Sequence, residues 1–239
     1  MSSHPHRVAL SSAEATEHLR ESVREAIAEV KPRLRGLLHA ATAPLTLVAG
    51  IVLIVLSPSS ATRVGSSIFA VSAIVLFTVS AVYHRGGWSL RMWEFLRRFD
   101  HANIFLLIAG SYTPLTMLLL EGTQRTILLT IVWVVAALGI LFRIFWIDAP
   151  RWLYVPIYMA LGWVSIFFTG DFLRAGGIAV MALMATGGAL YTLGGVVYGL
   201  KRPNPFPTWF GFHEVFHTLT IAAFITHYVG VSIATYSLG

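Results

Sequence analysis

The chain has 239 residues, of which 56% are hydrophobic and only 12% charged, with a mean hydropathy of +0.72. Soluble domains carry about 25% charged residues, so this composition excludes a soluble globular, disordered or coiled-coil protein. Cysteine is absent, which removes disulfides, thiolate metal sites, iron–sulfur clusters and cysteine nucleophiles, and the net charge of +6 must be explained by where the basic residues lie.

Residues 1–36 form a polar tail that holds five of the eleven acidic residues and three of the nine histidines. Ser11 with Glu14 fits a capping box. Leu19, Val23, Ile27 and Val30 then recur at helical spacing. This predicts either a short amphipathic helix over 12–30 or a solvated tail. Residues 37–239 read as one transmembrane domain, with apolar runs at 37–56, 64–84, 101–120, 126–147, 152–169, 178–199 and 210–236. A helix needs about 20 apolar residues to cross the roughly 30 Å hydrocarbon layer. Most of the runs reach that length; the fifth is the shortest. The breaks between them, including a basic loop over 85–100, are too short for a second domain. The predicted fold is an all-α integral membrane protein, a seven-transmembrane helix bundle.

The basic residues then sort by side. The tail carries Arg7, Arg20, Arg24, Lys31, Arg33 and Arg35, and the 85–100 loop carries Arg85, Arg91, Arg97 and Arg98. Two later breaks on that side add Arg143 with Arg151 and Lys201 with Arg202. The alternate breaks hold only Arg63, Arg125 and Arg174. Seven spans turn this into a bias of 14 against 3. The positive-inside rule then places the N-terminus in the cytoplasm and the C-terminus outside. The basic surplus is orientation charge and needs no nucleic acid. Gly195 and Gly199 suit close helix packing. Trp88, Trp93, Trp152 and Trp209 lie near span ends, where an interfacial belt forms.

Ionisable residues inside spans are costly and therefore informative. His39 opens the first span, His84 closes the second, Asp100 and His101 open the third, and His213, Glu214 and His217 open the seventh. In the predicted topology all these ends lie near the cytoplasmic face, in one layer. His213 and His217, at i and i+4, share a helix face about 6 Å apart. With His84 they would make a three-histidine zinc site with an open fourth position, where zinc lowers the pKa of a water to roughly 7. Asp100 would orient or deprotonate that water, or fix a ligand.

Other readings compete. Residues 213–217, His-Glu-Val-Phe-His, match the zincin pattern, which would make Glu214 a general base and the protein an intramembrane metalloprotease. A haem pair from His84 and His213 stays open. No lysine lies in the last span, which excludes a retinal protein. His227 lies ten residues beyond His217, about 15 Å along a helix, too far to share an ion.

The set Ser80-x-x-x-His84, Asp100 and His213-x-x-x-His217 resembles the hemolysin III family, the bacterial branch of the progestin and adipoQ receptor (PAQR) family, which is distantly similar to the alkaline ceramidases. The resemblance covers about residues 33–236, and Lys31-Pro32-Arg33-Leu34-Arg35-Gly36-x-x-His39 looks like the family's start of helix one. It departs there from the form containing Glu and Asn. The resemblance implies Zn2+ on His84, His213 and His217, Asp100 holding the metal-bound water, and Ser80 near it. The expected protein is a multi-pass protein of the bacterial plasma membrane, with a membrane lipid or fatty acid in its bundle cavity and no obligate protein partner. The expected activity is zinc-dependent hydrolysis of a lipid, such as a ceramide-like amide, in membrane-lipid homeostasis. The non-enzymatic alternative is a membrane sensor, regulator or hemolysin-like pore with a structural zinc.

Overall fold

A computed structural model describes residues 32–238, and the predicted amphipathic helix over 12–30 lies outside them. The described residues are helical throughout, with no strand among them beyond one isolated bridge between Phe206 and Phe210. The helices are α1 (Leu37–Val55), α2 (Ser60–Arg85), α3 (Leu90–Leu119), α4 (Gly122–Phe145), α5 (Arg151–Gly162), α6 (Thr169–Leu200) and α7 (Phe212–Leu238), with a 3₁₀ turn Val164–Phe168 between α5 and α6. Among the described residues six stretches are long and apolar enough to cross a membrane: α1 to α4, the 50-residue run Arg151–Leu200, and Phe212–Ser237. The chain is a multi-pass helical membrane protein.

The 50-residue run is folded back on itself. One straight helix of that length would measure about 75 Å, more than twice the hydrocarbon thickness. Instead Trp163 Nε1 donates to Thr192 Oγ1 at 2.8 Å, Met159 packs on Gly195 and Val155 on Gly199. Arg151 Nη1 reaches the Tyr198 carbonyl at 3.0 Å. Partner numbers fall on one side as they rise on the other, so the arms are antiparallel. The reversal lies between Trp163 and Gly188, a stretch containing Gly177 at φ 72° and ψ 177°. Residues other than glycine are essentially barred from that region. The two arms carry the fifth and sixth predicted spans.

One boundary moves. The stretch read as a basic loop over 85–100 is helical from Leu90, so α3 runs 30 residues, about 45 Å, and extends well past the hydrocarbon. Its charges misled because they belong to an amphipathic turn: Arg91 and Glu94 face solvent while Leu96 is buried. Arg97 reaches over to Asp148 at 3.0 Å, and Arg98 donates to the Ile144 carbonyl. Arg143, counted above as orientation charge, is 1% exposed. Its guanidinium caps the end of α4 through the Ile147 carbonyl at 3.0 Å and lies 4.1 Å from the Tyr154 ring. A cation at a helix C-terminus is favoured there by the macrodipole.

Helix α3 is the axis of the bundle. In its most apolar window 72% of residues are buried, against 22% for α1. The core packs Phe69 and Phe77 of α2, Phe105 of α3, Leu128 and Val132 of α4, and Phe224 of α7. Outward-facing Leu45, Phe145, Phe167 and Ile178 are mostly exposed, a distribution that suits lipid and not water.

Candidate metal and lipid site

Two helix ends and an inner turn of α3 build the site. His84 sits in the last turn of α2, Asp100 one helical segment into α3, and His213 and His217 in the first two turns of α7. His84, His213 and His217 each present one ligand atom, all within 4.8 Å of one another. The Nε2 atoms of His84 and His213 are 3.2 Å apart. Tetrahedral zinc with Zn–N bonds of about 2.0–2.1 Å places its nitrogens roughly 3.3 Å from each other, a separation the His84–His213 pair already has, while the set as a whole spans up to 4.8 Å. Without an ion, the same separation suits one N–H···N hydrogen bond. Asp100 Oδ2 is 3.8 Å from His84 Nε2, and the Ser80 side chain lies within hydrogen-bonding reach of the Asp100 carboxylate. All five residues predicted for the site are thus gathered over 138 positions of sequence, from Ser80 to His217.

Two further groups hold the site and were not assigned from sequence. The His39 ring, on α1, stacks flat on His217 with centroids 3.7 Å apart and planes 10° apart, backed by Phe77 edge-on at 5.0 Å. His39 had been placed in this layer by topology alone. Arg35 pairs with Glu214, a carboxylate of zero exposure. The other Glu214 oxygen accepts from the Gly211 amide at 2.8 Å, while Asn204 Oδ1 accepts from Phe212 N at 2.8 Å. Both carboxylate oxygens of Glu214 are therefore occupied in fixing the start of α7, and Glu214 does not take part in the histidine cluster. Arg35 and Glu214 are 179 residues apart, and no spacing rule could have joined them.

Gly36 lets this happen. Its φ is 77°, and a Cβ on it would stand 2.6 Å from Cβ of His84. Only glycine allows the strand of chain before α1 to lie against the histidine helix. Next to it, Arg33 N donates to Thr208 O at 3.0 Å and Leu34 N to Trp209 O at 3.2 Å, with the Arg33 guanidinium 4.6 Å from the Trp209 ring.

His101 lines the same cavity but has its bonds elsewhere than to the three histidines. Its Nδ1 lies 2.7 Å from the Arg97 carbonyl, which can only accept. In the neutral ring Nδ1 therefore carries the proton and Nε2 accepts from Tyr198 O–H at 3.3 Å. Tyr154 joins that hydroxyl at 3.2 Å, and Tyr158 O–H donates to the His101 carbonyl at 3.0 Å. This tyrosine network fixes the turn of α3 that carries Asp100.

The histidine layer opens into an apolar cavity of about 120 Å³. Leu76, Ile104, Ile108, Tyr158, Met159 and Phe216 line it, together with His39, Ser80, Asp100, His213 and His217. Ser111, Tyr112, Trp163 and His227 are shared with a second cavity that continues past Met181 and Phe172. A polar end joined to a long apolar channel is shaped for an amphiphile.

Comparisons with known proteins agree with this architecture. The model of the haemolysin-III related family matches residues 27–228, and the chain belongs to that family. It is 32% identical to the hemolysin-3 homolog of Bacillus subtilis (strain 168) over 158 residues, 66% of this chain and 71% of the relative. It is 28% identical to hemolysin-3 of Bacillus cereus over 186 residues, 77% of this chain and 82% of that one. An adiponectin receptor protein of Drosophila melanogaster is 28% identical over 181 residues, 69% of this chain and 41% of the receptor, which extends the likeness to the PAQR proteins.

Proposed function

We propose that this protein is a zinc-dependent hydrolase of a membrane lipid, with His84, His213 and His217 holding the ion. The observation that carries the reading is the three-histidine cluster, with Asp100 and Ser80 beside it, at the polar end of an apolar cavity. Zinc held there would supply Lewis acidity toward a scissile carbonyl and would acidify water. The Asp100 carboxylate accepts the proton of the attacking water and returns it to the leaving group. Ser80 holds that carboxylate in place. His39 keeps the His217 ring from turning, and the Arg35–Glu214 pair fixes the first turn of α7. The apolar cavity takes the acyl chain, and a ceramide-like amide is the substrate class that matches a polar head at the histidine layer.

The membrane arrangement belongs to the same proposal. The two antiparallel arms of Arg151–Leu200 count as two crossings, giving seven in all. The basic bias then sets the N-terminus in the cytoplasm of a bacterial plasma membrane. Because the chain has no cysteine, single introduced cysteines report sidedness directly. Cys at Ser237 should react with an impermeant reagent from outside, and Cys at Asn204 only after lysis.

The enzymatic proposal is tested with purified protein in nanodiscs carrying one zinc, incubated with a lipid panel. Release of fatty acid is expected, with loss in His217→Ala and Asp100→Asn. Turnover retained in a zinc-free His217→Ala protein would sink the mechanism. The names of the relatives, hemolysin and receptor, favour a second reading in which zinc is structural and the cavity only binds its ligand. That reading expects bound zinc, ligand affinity and no turnover.

A further inference from the structure

Outside the histidine layer, where His39 and Nδ1 of His217 also lack partners, the polar groups along the cavity wall are nearly all spoken for. Ser111 donates to the Leu107 carbonyl, Thr220 to Phe216 and Thr192 to Gly188. Tyr112 O–H donates to the Gly162 carbonyl and accepts from Ser165 N. Two groups well away from the histidine layer are different. The Tyr191 hydroxyl is buried and makes no hydrogen bond, and neither ring nitrogen of His227 has a partner of hydrogen-bond geometry, although the Met184 carbonyl is nearby. The two rings meet edge to face at 5.5 Å, and both line the cavity. Space for the imidazole is made by Gly187, where a Cβ would come within 2.0 Å of the ring.

Burying such groups without partners is unfavourable, in a region otherwise lined to hold hydrocarbon. A neutral imidazole turned toward Met184 has one nitrogen left to accept, and a tyrosine hydroxyl can donate. A ligand hydroxyl reaching between the two rings would satisfy both at once, donating to the imidazole and accepting from the phenol. A carbonyl could satisfy only the tyrosine. His227 follows His217 by ten residues on α7, a rise of about 15 Å. The cavity continues beyond it past Met181 and Phe172, so the hydroxyl would belong in mid-chain and not at the end.

We propose that Tyr191 and His227 form a second polar station, which selects amphiphiles carrying a hydroxyl about 15 Å from the head group. This rests on the reading of the cavity as a lipid site and narrows its ligand class to hydroxylated acyl chains.

The test compares binding of stearate, a mid-chain hydroxystearate and a hydroxystearate with its hydroxyl beside the carboxylate, to the full-length protein in nanodiscs by native mass spectrometry. The mid-chain isomer should bind about three- to tenfold tighter than stearate, the range given by a net hydrogen bond. The head-proximal isomer should gain nothing. Tyr191→Phe, which keeps the ring, and His227→Leu should bring the ratio of mid-chain isomer to stearate close to one. Equal binding of all three ligands, or a preference that survives both substitutions, overturns the inference and leaves the lipid site standing. Failure of every ligand to bind overturns both.

Discussion

The histidine layer and the α5–α6 arms are built on opposite principles. The layer is over-determined: regular helix ends, a stacked ring pair, a buried ion pair and a glycine that admits no side chain all bear on the same few atoms. The arms are irregular, broken by a 3₁₀ turn and by Gly177, with Trp152, Phe167 and Ile178 turned outward. Chemistry that depends on ångström placement needs the first kind of support. A wall that shapes an apolar cavity can be made of the second. Substitutions in the layer should therefore disturb metal and stability together, and substitutions in the arms stability alone.

The sharpest break would come from His84→Ala or His213→Ala. Zinc measured by mass spectrometry should fall from about one per chain to near zero, and the stabilisation by added zinc should vanish with it. Next is Glu214→Ala, which strands Arg35 and uncaps α7. Removing one partner of a buried pair costs about 3–5 kcal/mol, and unfolding in mixed micelles should show a loss near the lower figure, since Arg35 is partly exposed. Gly36→Ala should cost about 1–3 kcal/mol from its positive φ. Zinc affinity should fall as well, because the new methyl meets His84. Gly177→Ala should cost a similar amount with zinc affinity unchanged. Equal zinc loss in the two glycine variants would erase the distinction between the regions. The smallest effect is expected from Trp163→Phe, about 1 kcal/mol for the lost bond to Thr192, again without effect on zinc.

The sequence was most legible where one rule acted locally. Lengths and hydropathy marked the apolar helices, and the i, i+4 spacing paired His213 with His217. Alternation of span ends put His84 and Asp100 in the same layer, where the structure has them. Legibility failed where distant segments decide. Nothing in Arg35 marks it as the partner of Glu214, and the stack of His39 on His217 joins the first helix to the last. Charge density misplaced the start of α3, because Arg91, Glu94, Arg97 and Arg98 suit an exposed helical turn as well as a loop. Arg143 misled in the opposite direction, since a solvated arginine and one capping buried carbonyls look alike in sequence.

The contacts of residues 33–36 have a consequence for how the molecule comes apart. Terminal helices of a bundle are usually the first to fray, because they have neighbours on fewer sides. Here the segment leading into α1 is stitched to the turn before α7 by two backbone bonds, a cation over Trp209 and the Arg35–Glu214 pair. The outer two of the described helices, α1 and α7, are thereby latched into a ring. Neither can peel away without opening the latch, and the latch sits against the helix start that bears two of the three histidines. Disruption of the histidine cluster and loss of the bundle should accordingly occur as one cooperative event.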